Sequence, residues 1–506
     1  MYDVVIIGAG ITGSFIAHEL SKYQLQIAVI DKNADVANGA TMANSAIVHS
    51  GHDPKPGTLK AKLNVRGNEM YERICKDLGV QFQRTSAFVA ATSEEERRTL
   101  DLLYQQSLDR KIPVQYLTRE EALQKEPNLS DEVQYVLELP TTGIIYPWEV
   151  TIALMEEAVL NGVELHLEEL VEDVRPMENH PQSKDHRENY VQEMMDGRAK
   201  DMCYDIKTDK GSYQTRFVIN AAGVYGDKIY QMVATQTNRD KFHISPRKGE
   251  YFVLDKLREP LVSRVIYPVP SAAGKGVLVV PTTHGNILLG PNSQVIQDKE
   301  GINNTSDALN YVKREVSKTV KNIPMDKIIR TFAGLRPTGD TGDFVIEEAT
   351  DAPQFINVAC IESPGLASAP AIAEYVMDTI LADKLTLIEK KEYQRRTPIL
   401  DPKKLSREER HALVQNNPQY GKIVCRCEQV TEGEILDAIH RPVGATTVKG
   451  VKKRVRPGMG RCQGGFCEPL VVDILARELG ISPVEVRLDG ADSVMLTEMT
   501  DAENQI

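Results

Sequence analysis

The first thirty-odd residues constrain what this chain can fold into more than any other stretch. Tyr2-Asp3-Val4-Val5-Ile6-Ile7 is a short β-branched run of the kind that makes a strand buried on both faces. It enters Gly8-Ala9-Gly10-Ile11-Thr12-Gly13, and Ser14 to Leu20 continues with helical spacing. A second apolar run, Gln26 to Ile30, ends in Asp31. Together these predict a strand–helix–strand unit with a dinucleotide fingerprint in its first turn. Gly8 allows the tight turn, Gly10 lets backbone approach a pyrophosphate, and Gly13 lets the helix pack closely on the strand. The helix N-terminus offers N–H groups and a positive dipole end to phosphates. Asp31, at the strand end, can accept hydrogen bonds from ribose hydroxyls. A chance glycine-rich turn would have to explain the strand, the helix and the acidic strand end separately.

At 506 residues the chain is too long for one compact unit, so two or three domains are expected. Hydrophobic content of 41% is ample for the core of a globular enzyme. A formal net charge of -12 argues against nucleic-acid binding, which needs a basic face. No apolar run reaches the ~18 residues of a membrane span, and a strand starting at residue 2 leaves no room for a signal peptide. The expectation is a cytoplasmic protein, with membrane association through partner subunits left open.

After Asp31 a loop rich in small polar residues, Asn38 to Ser45, leads into Ala46-Ile47-Val48-His49-Ser50-Gly51. Loops beyond the carboxyl ends of strands line the crevice of an open α/β sheet, and this one supplies hydroxyls and backbone donors there. Residues 59–79 read as an amphipathic helix ended by Gly79, 94–110 as a charged helix and 148–160 as another. Val163 to Leu167 and Phe217 to Gly223 read as strands of the same sheet. The polar stretch 175–200 reads as an exposed excursion. From 240 to 330 the texture becomes alternating strands, the mark of a β-rich substrate domain, and it includes the basic pair Arg247-Lys248. Phe355 to Cys360 is a last buried strand, and Pro364-Gly365-Leu366 opens a helix aimed at the crevice.

The fingerprint, Asn44-Ser45 with His49-Ser50-Gly51, Asn220-Ala221-Ala222-Gly223, Ala333-Gly334-Leu335-Arg336 and Ser363-Pro364-Gly365 together resemble the D-amino-acid-oxidase-like FAD family. Within it the chain looks closest to L-2-hydroxyglutarate oxidases and to the A subunit of anaerobic glycerol-3-phosphate dehydrogenase. The resemblance implies an α/β fold: a Rossmann-type FAD-binding domain (1–85, 142–225 and 326–385) with an inserted β-rich substrate domain (86–141 and 226–325). A linker (386–420) and a small α-rich domain (421–506) follow. It implies FAD contacts from Gly8, Gly10, Gly13, Asp31, Lys32, Thr41, Asn44, Ser45, Val171, Ala222, Gly223, Gly365 and Leu366. A helix N-terminus at Gly365 would stabilise negative charge at the pyrimidine end of the flavin.

Arg336 is the first candidate to hold an anionic substrate group, because guanidinium meets carboxylate or phosphate with paired hydrogen bonds. Lys248 is a second. A structural ion pair is the competing reading for each. His49, beside the expected flavin, is a candidate general base for the alcohol proton; the alternative is a buried histidine that satisfies backbone groups or touches flavin without moving a proton.

Cys425-Arg426-Cys427 and, after 34 residues, Cys462-Gln463-Gly464-Gly465-Phe466-Cys467 gather four of the seven cysteines. Four thiols in so short a segment read as a metal or cluster site, whereas Cys75, Cys203 and Cys360 read as ordinary thiols. Zinc favours C-x₂₋₄-C knuckles, which the first pair lacks. The segment resembles the bacterioferritin-associated-ferredoxin-like [2Fe–2S] domain, which makes Cys425, Cys427, Cys462 and Cys467 the expected ligands. The basic residues between the pairs (Lys449, Lys452, Lys453, Arg454, Arg456, Arg461) are open to three roles: offsetting the cluster, docking an acidic partner, or forming a solvated face.

These readings combine into an expected FAD- and [2Fe–2S]-dependent dehydrogenase acting on a small anionic secondary alcohol. Glycerol 3-phosphate is the first substrate, L-2-hydroxyglutarate or another 2-hydroxy acid the second. An electron-acceptor protein or quinone-linked partner subunits would take the electrons. An amine or imino-acid dehydrogenase and a non-catalytic electron-transfer partner are the remaining alternatives.

Overall fold

Val4, Val5 and Ile6 are fully buried, as a strand covered on both faces requires, and form the middle of β1 (Tyr2–Ile7). α1 (Ile11–Leu20) and β2 (Ile27–Ile30) complete the opening unit, β2 lying parallel to β1. The computed structural model describes residues 1–177, 202–270 and 276–498; most of the polar stretch 175–200 lies outside them. α2 (Leu59–Leu78) starts at Thr58, whose side chain accepts from the Ala61 N–H, and stops at Gly79 in the left-handed conformation. β3 (Ser212–Asn220) is parallel to β1 on its other side. Two long strands follow, β4 (Ile244–Leu254) and β5 (Ile328–Gly339), then β6 (Ala352–Ala359) and α3 (Gly365–Tyr375).

One sheet runs in the order Val171–Met177, Cys203–Thr208, β3, β1, β2, Glu164–His166, with β6 joined to β3 and Val345–Ala349 to β6. Its parallel centre places the first βα turn at the carboxyl ends of β1 and β3, where open α/β sheets bind ligands. A second, nine-stranded sheet has β4 next to Ile287–Gly290, followed by Leu278–Pro281, Val265–Pro268, Ala87–Ala91, Tyr135–Glu138 and Gln115–Leu117. β5 pairs with β4 along its whole length. Residues 328–339 therefore belong by their hydrogen-bond ladder to the second sheet, although the sequence reading grouped 326–385 with the first.

Both sheets lie in one unit, Met1–Lys32 with Ala37–Gln394; a second unit contains Asn33–Val36 and the chain from Arg395 on. The stretch 386–420 thus divides rather than forming a separate linker. Its first residues are tied into the first unit, with the Lys390 N–H donating to Lys22 O and the Gln394 N–H to Asn161 Oδ1. The second unit is α-rich, as expected. Its α4 (Val448–Val455) and α5 (Glu468–Leu479) pack Val451, Val471 and Leu475 into a small core with Val430 and Ile435. Among the described residues, no helix is long and apolar enough to cross a membrane.

Candidate functional site

The glycine turn is built by exclusion. A Cβ on Gly8, which has φ +109°, would run into the Ala221 carbonyl, and one on Gly13 would overlap the Gly8 carbonyl. Gly10 faces open space instead, its nearest neighbour being Thr41 Oγ1 at 3.5 Å from a hypothetical Cβ. The N-cap residue of α1 is Gly10, which has no side chain to cap the helix. Thr41 takes the Ile11 N–H (3.0 Å), and Asp31 Oδ2 takes the Ala9 N–H (2.7 Å), so the turn and the strand-end carboxylate are locked together. This is a cradle with room for a pyrophosphate where Gly10 stands and donors at the helix start. Lys32 reaches away to Glu300 (2.5 Å) and lies 4.2 Å over the Tyr225 ring. Val171 begins a strand at the sheet's edge, and Ala222 and Gly223 form the turn after β3. Gly365 and Leu366 open α3 with no side-chain cap, and the Leu366 carbonyl accepts from Tyr71 Oη at 2.6 Å.

The loop after Asp31 is braced by Asn44. Its Nδ2 donates to Ala40 O and Thr41 O (3.2 and 2.9 Å), and its Oδ1 accepts from the Ala46 N–H (2.7 Å). Ser45 Oγ meets Tyr251 Oη of β4 at 3.1 Å. Tyr251 stacks on Phe332 of β5 at 4.5 Å between ring centres, and a Cβ on Gly334 would overlap the Ala43 carbonyl. One face of the β4–β5 pair therefore closes onto this loop.

His49, a few residues past this loop, is buried. Its carbonyl is held by Asn64 Nδ2 (2.8 Å) and Asn68 Nδ2 (3.0 Å) of α2, and its Nδ1 lies 2.8 Å from Tyr267 Oη. The sequence reading saw α2 only as an amphipathic helix and did not single out Tyr267. Buried asparagines interrupting an apolar stripe were the available signal for the first; nothing local marked the second.

Arg336 lies along β4. Its Nε donates to Arg247 O (3.2 Å) and its Nη2 to Asn292 O (2.9 Å) and Lys248 O (3.4 Å). Gly249 makes this possible, because a Cβ there would sit 2.6 Å from Nη2. Burial pulls the Arg336 guanidinium below its usual range. Lys248 is on the opposite face of β4, since neighbours along a strand alternate. It is buried there with Nζ 3.0 Å from Asn303 O and 3.4 Å from Glu250 Oε1. The structure does not bring Lys248 together with Arg336, and the ion-pair reading describes its surroundings.

In the second unit the four cysteines are free thiols arranged as two pairs. Cys427 Sγ and Cys462 Sγ are 3.6 Å apart, close to the ~3.8 Å expected of two thiolates on one tetrahedral metal at about 2.3 Å. Cys425 and Cys467 form the other, hydrogen-bonded pair. That bond, together with backbone N–H groups of Glu428, Gly458 and Cys427, overcomes burial and brings the Cys425 thiol down to about 6. The same bond and burial push Cys467 up. Two pairs with amides aimed at sulfur fit a two-iron cluster. Among the described residues, no three His, Cys, Asp or Glu side chains converge as a single-ion site would need.

Four of the six basic residues between the pairs act as braces. Lys449 meets Asp489 at 2.6 Å and Arg456 meets Glu428 at 3.1 Å. Arg454 grips Asp35 with both Nη atoms (2.7 and 2.9 Å), and Lys453 Nζ lies 2.8 Å from the same carboxylate. Burial opposes charge on Asp35, but the two cations prevail and hold its carboxyl at about 2. Cys75, Cys203 and Cys360 are buried.

Comparison with known proteins adds the following. Residues 3–379 match the family model described as FAD dependent oxidoreductase, and residues 423–477 match the BFD-like [2Fe-2S] binding domain. A glycerol 3-phosphate dehydrogenase of Caloramator mitchellensis is 48% identical over 100% of both chains. A glycerol 3-phosphate oxidase of Mycoplasma genitalium is 31% identical over 75% of this chain and 94% of its own. Among solved structures, the dithionite-reduced L-alpha-glycerophosphate oxidase of Mycoplasma pneumoniae with FAD bound superposes with a TM-score of 0.69 at 29% identity, covering 78% of this chain and 98% of that one.

Proposed function

The chain belongs to the FAD dependent oxidoreductase family, and from that premise we propose that it is a dehydrogenase converting sn-glycerol 3-phosphate to dihydroxyacetone phosphate. The observation that carries this reading is the 48% identity to a glycerol 3-phosphate dehydrogenase along the full length of both chains, which spans the flavin and the cysteine units alike. FAD supplies a two-electron hydride acceptor, and a [2Fe–2S] cluster supplies a one-electron relay. The rest falls to the chain's own residues.

The Gly8–Gly13 turn and the start of α1 would hold the pyrophosphate, and Asp31 would accept from the adenosine ribose. The start of α3 at Gly365 would favour negative charge on the flavin. Arg336 binds the substrate's anionic group with donors not engaged by main-chain carbonyls. His49 takes the C2 hydroxyl proton as the C2–H bond breaks, with its Nδ1 on Tyr267. Asn64 and Asn68 fix the histidine's backbone. Cys425, Cys427, Cys462 and Cys467 would hold the cluster, and the acceptor would be a protein or quinone-linked partner subunits.

The test is a steady-state assay of anaerobically purified holoprotein with a dye acceptor, comparing sn-glycerol 3-phosphate with L-2-hydroxyglutarate. Turnover and flavin bleaching with the phosphate ester are expected; bleaching only by the hydroxy acid would replace the substrate, and bleaching by neither would remove the reading.

A further inference from the structure

Arg247 stands directly opposite Arg336 in the antiparallel pairing of β4 and β5. Residues so placed share a face, with Cβ atoms about 4.5–5.5 Å apart, and like charges there repel. Alternation puts Gly249 and Tyr251 on that face too, and Tyr251 reaches Ser45 of the cofactor loop. The arginine pair thus belongs to the surface that closes over the crevice.

Neither guanidinium has a carboxylate partner among the described residues. Arg336 donates to three main-chain carbonyls, and Arg247 Nε is buried without a hydrogen-bond partner. Glu362 contributes to the field at Arg336, but its oxygens are engaged by Lys60 Nζ and Thr338 Oγ1, each at 2.7 Å. The chain carries 72 acidic residues against 60 basic ones, so carboxylates are not scarce. Lys248, on the opposite face of β4, has Glu250. Two un-neutralised arginines at one register position, with one nitrogen already stripped of water, call for a counter-charge from outside the protein.

We propose that Arg247 and Arg336 form a two-guanidinium clamp for a phosphate dianion, and that Arg247 is the residue selecting a phosphate ester over a single carboxylate. The assignment deepens the reading above and rests on it for the identity of the substrate. Arg336, flattened over Gly249, presents one edge of donors; Arg247 presents a second from across the ladder. A carboxylate has two oxygens and is satisfied by one fork. A phosphate ester has three and carries close to two charges above a pKa near 6, so it uses both.

The experiment titrates the FAD-loaded full chain with inorganic phosphate and, separately, acetate, reading the perturbation of the flavin absorption band. Arg247→Gln is expected to weaken phosphate binding about tenfold or more, and Arg247→Lys about threefold, while acetate binding stays within about twofold in both. With sn-glycerol 3-phosphate, KM should rise in Arg247→Gln with kcat changing less. FAD content and melting temperature report whether each variant is folded, and the lysine variant keeps the charge while losing the planar fork. Unchanged phosphate binding in a folded Arg247→Gln, equal weakening of phosphate and acetate, or no saturable phosphate effect in the wild type would overturn the clamp. If phosphate binding separates the variants but the ester is not oxidised, the clamp stands and the substrate reading falls.

Discussion

The amino-terminal cradle is built mostly of backbone: three glycines and a helix start whose N-cap residue has no side chain, joined by one carboxylate fastened to the Ala9 N–H. The cysteine site is built of four side chains, with backbone amides in a supporting role. The first arrangement fails when an atom is added, the second when one is taken away. Changing Cys425 to Ser should abolish the cluster's EPR and visible signals outright, because a two-iron centre needs all four thiolates, while FAD content stays at the wild-type level. Gly13→Ala should do the reverse. Its methyl would overlap the Gly8 carbonyl, and FAD retention should fall by about a hundredfold or more, roughly 3 kcal/mol, with the cluster signal intact. If either variant loses both signals in a folded protein, the two sites do not fail independently and the contrast is wrong.

The same contrast explains which parts were readable in advance. The glycine turn and the cysteine pairs declare themselves because their chemistry is local: each spans a few residues and needs residue types that little else requires. Register is not local. Arg247 and Lys248 are neighbours in sequence and were read as one basic patch, yet period-two alternation puts one beside Arg336 and the other beside Glu250. Knowing that one strand runs from Ile244 to Leu254 splits them, but does not say which face meets the loop at Ser45. The contact between His49, just past the strand Ile47–Val48, and Tyr267 joins residues 218 positions apart, so no spacing rule reaches it. The basic run 449–461 leaves a role at the cluster, a docking face and a solvated face open in sequence; its carboxylate partners Asp35 and Asp489 lie outside the run, Asp35 419 positions from Arg454.

That run offers the next test, within the second unit. Asp35→Asn leaves Lys453 and Arg454 buried without their carboxylate, which should cost about 3–5 kcal/mol. The effect would appear as a lower melting temperature followed through the cluster's visible band, with the flavin band as reference. The wild type adds a pH signature. Asp35 is held at about 2, below its ordinary 3.8, so its contribution is complete above pH 4 and is lost as pH falls from there toward 2. The Asn variant should lose that part of the acid dependence. A variant that melts like the wild type would mean that the paired cations are solvated braces, and that this region is held by its apolar core alone.

The smallest expected effect is the one that best separates two roles for His49. Tyr267 Oη is 2.8 Å from Nδ1, and burial holds the phenol far above its ordinary range, so the oxygen keeps its proton near neutrality. If Nδ1 carries the imidazole proton and donates to that oxygen, Nε2 is the unprotonated nitrogen and the one to accept the alcohol proton. If the phenol donates to Nδ1, neutral His49 carries its proton on Nε2 and can only donate to substrate. Tyr267→Phe distinguishes these, because the ring still fills the space while the hydroxyl is gone. In the first case the imidazolium formed in the reaction loses an acceptor, and kcat should fall about tenfold to a hundredfold with KM nearly unchanged. In the second, removing the donor frees the ring to take the other tautomer, and kcat should hold or rise. A fall confined to kcat supports His49 as the base. An unchanged or higher kcat makes it a hydrogen-bond donor, and the proton then leaves by another group.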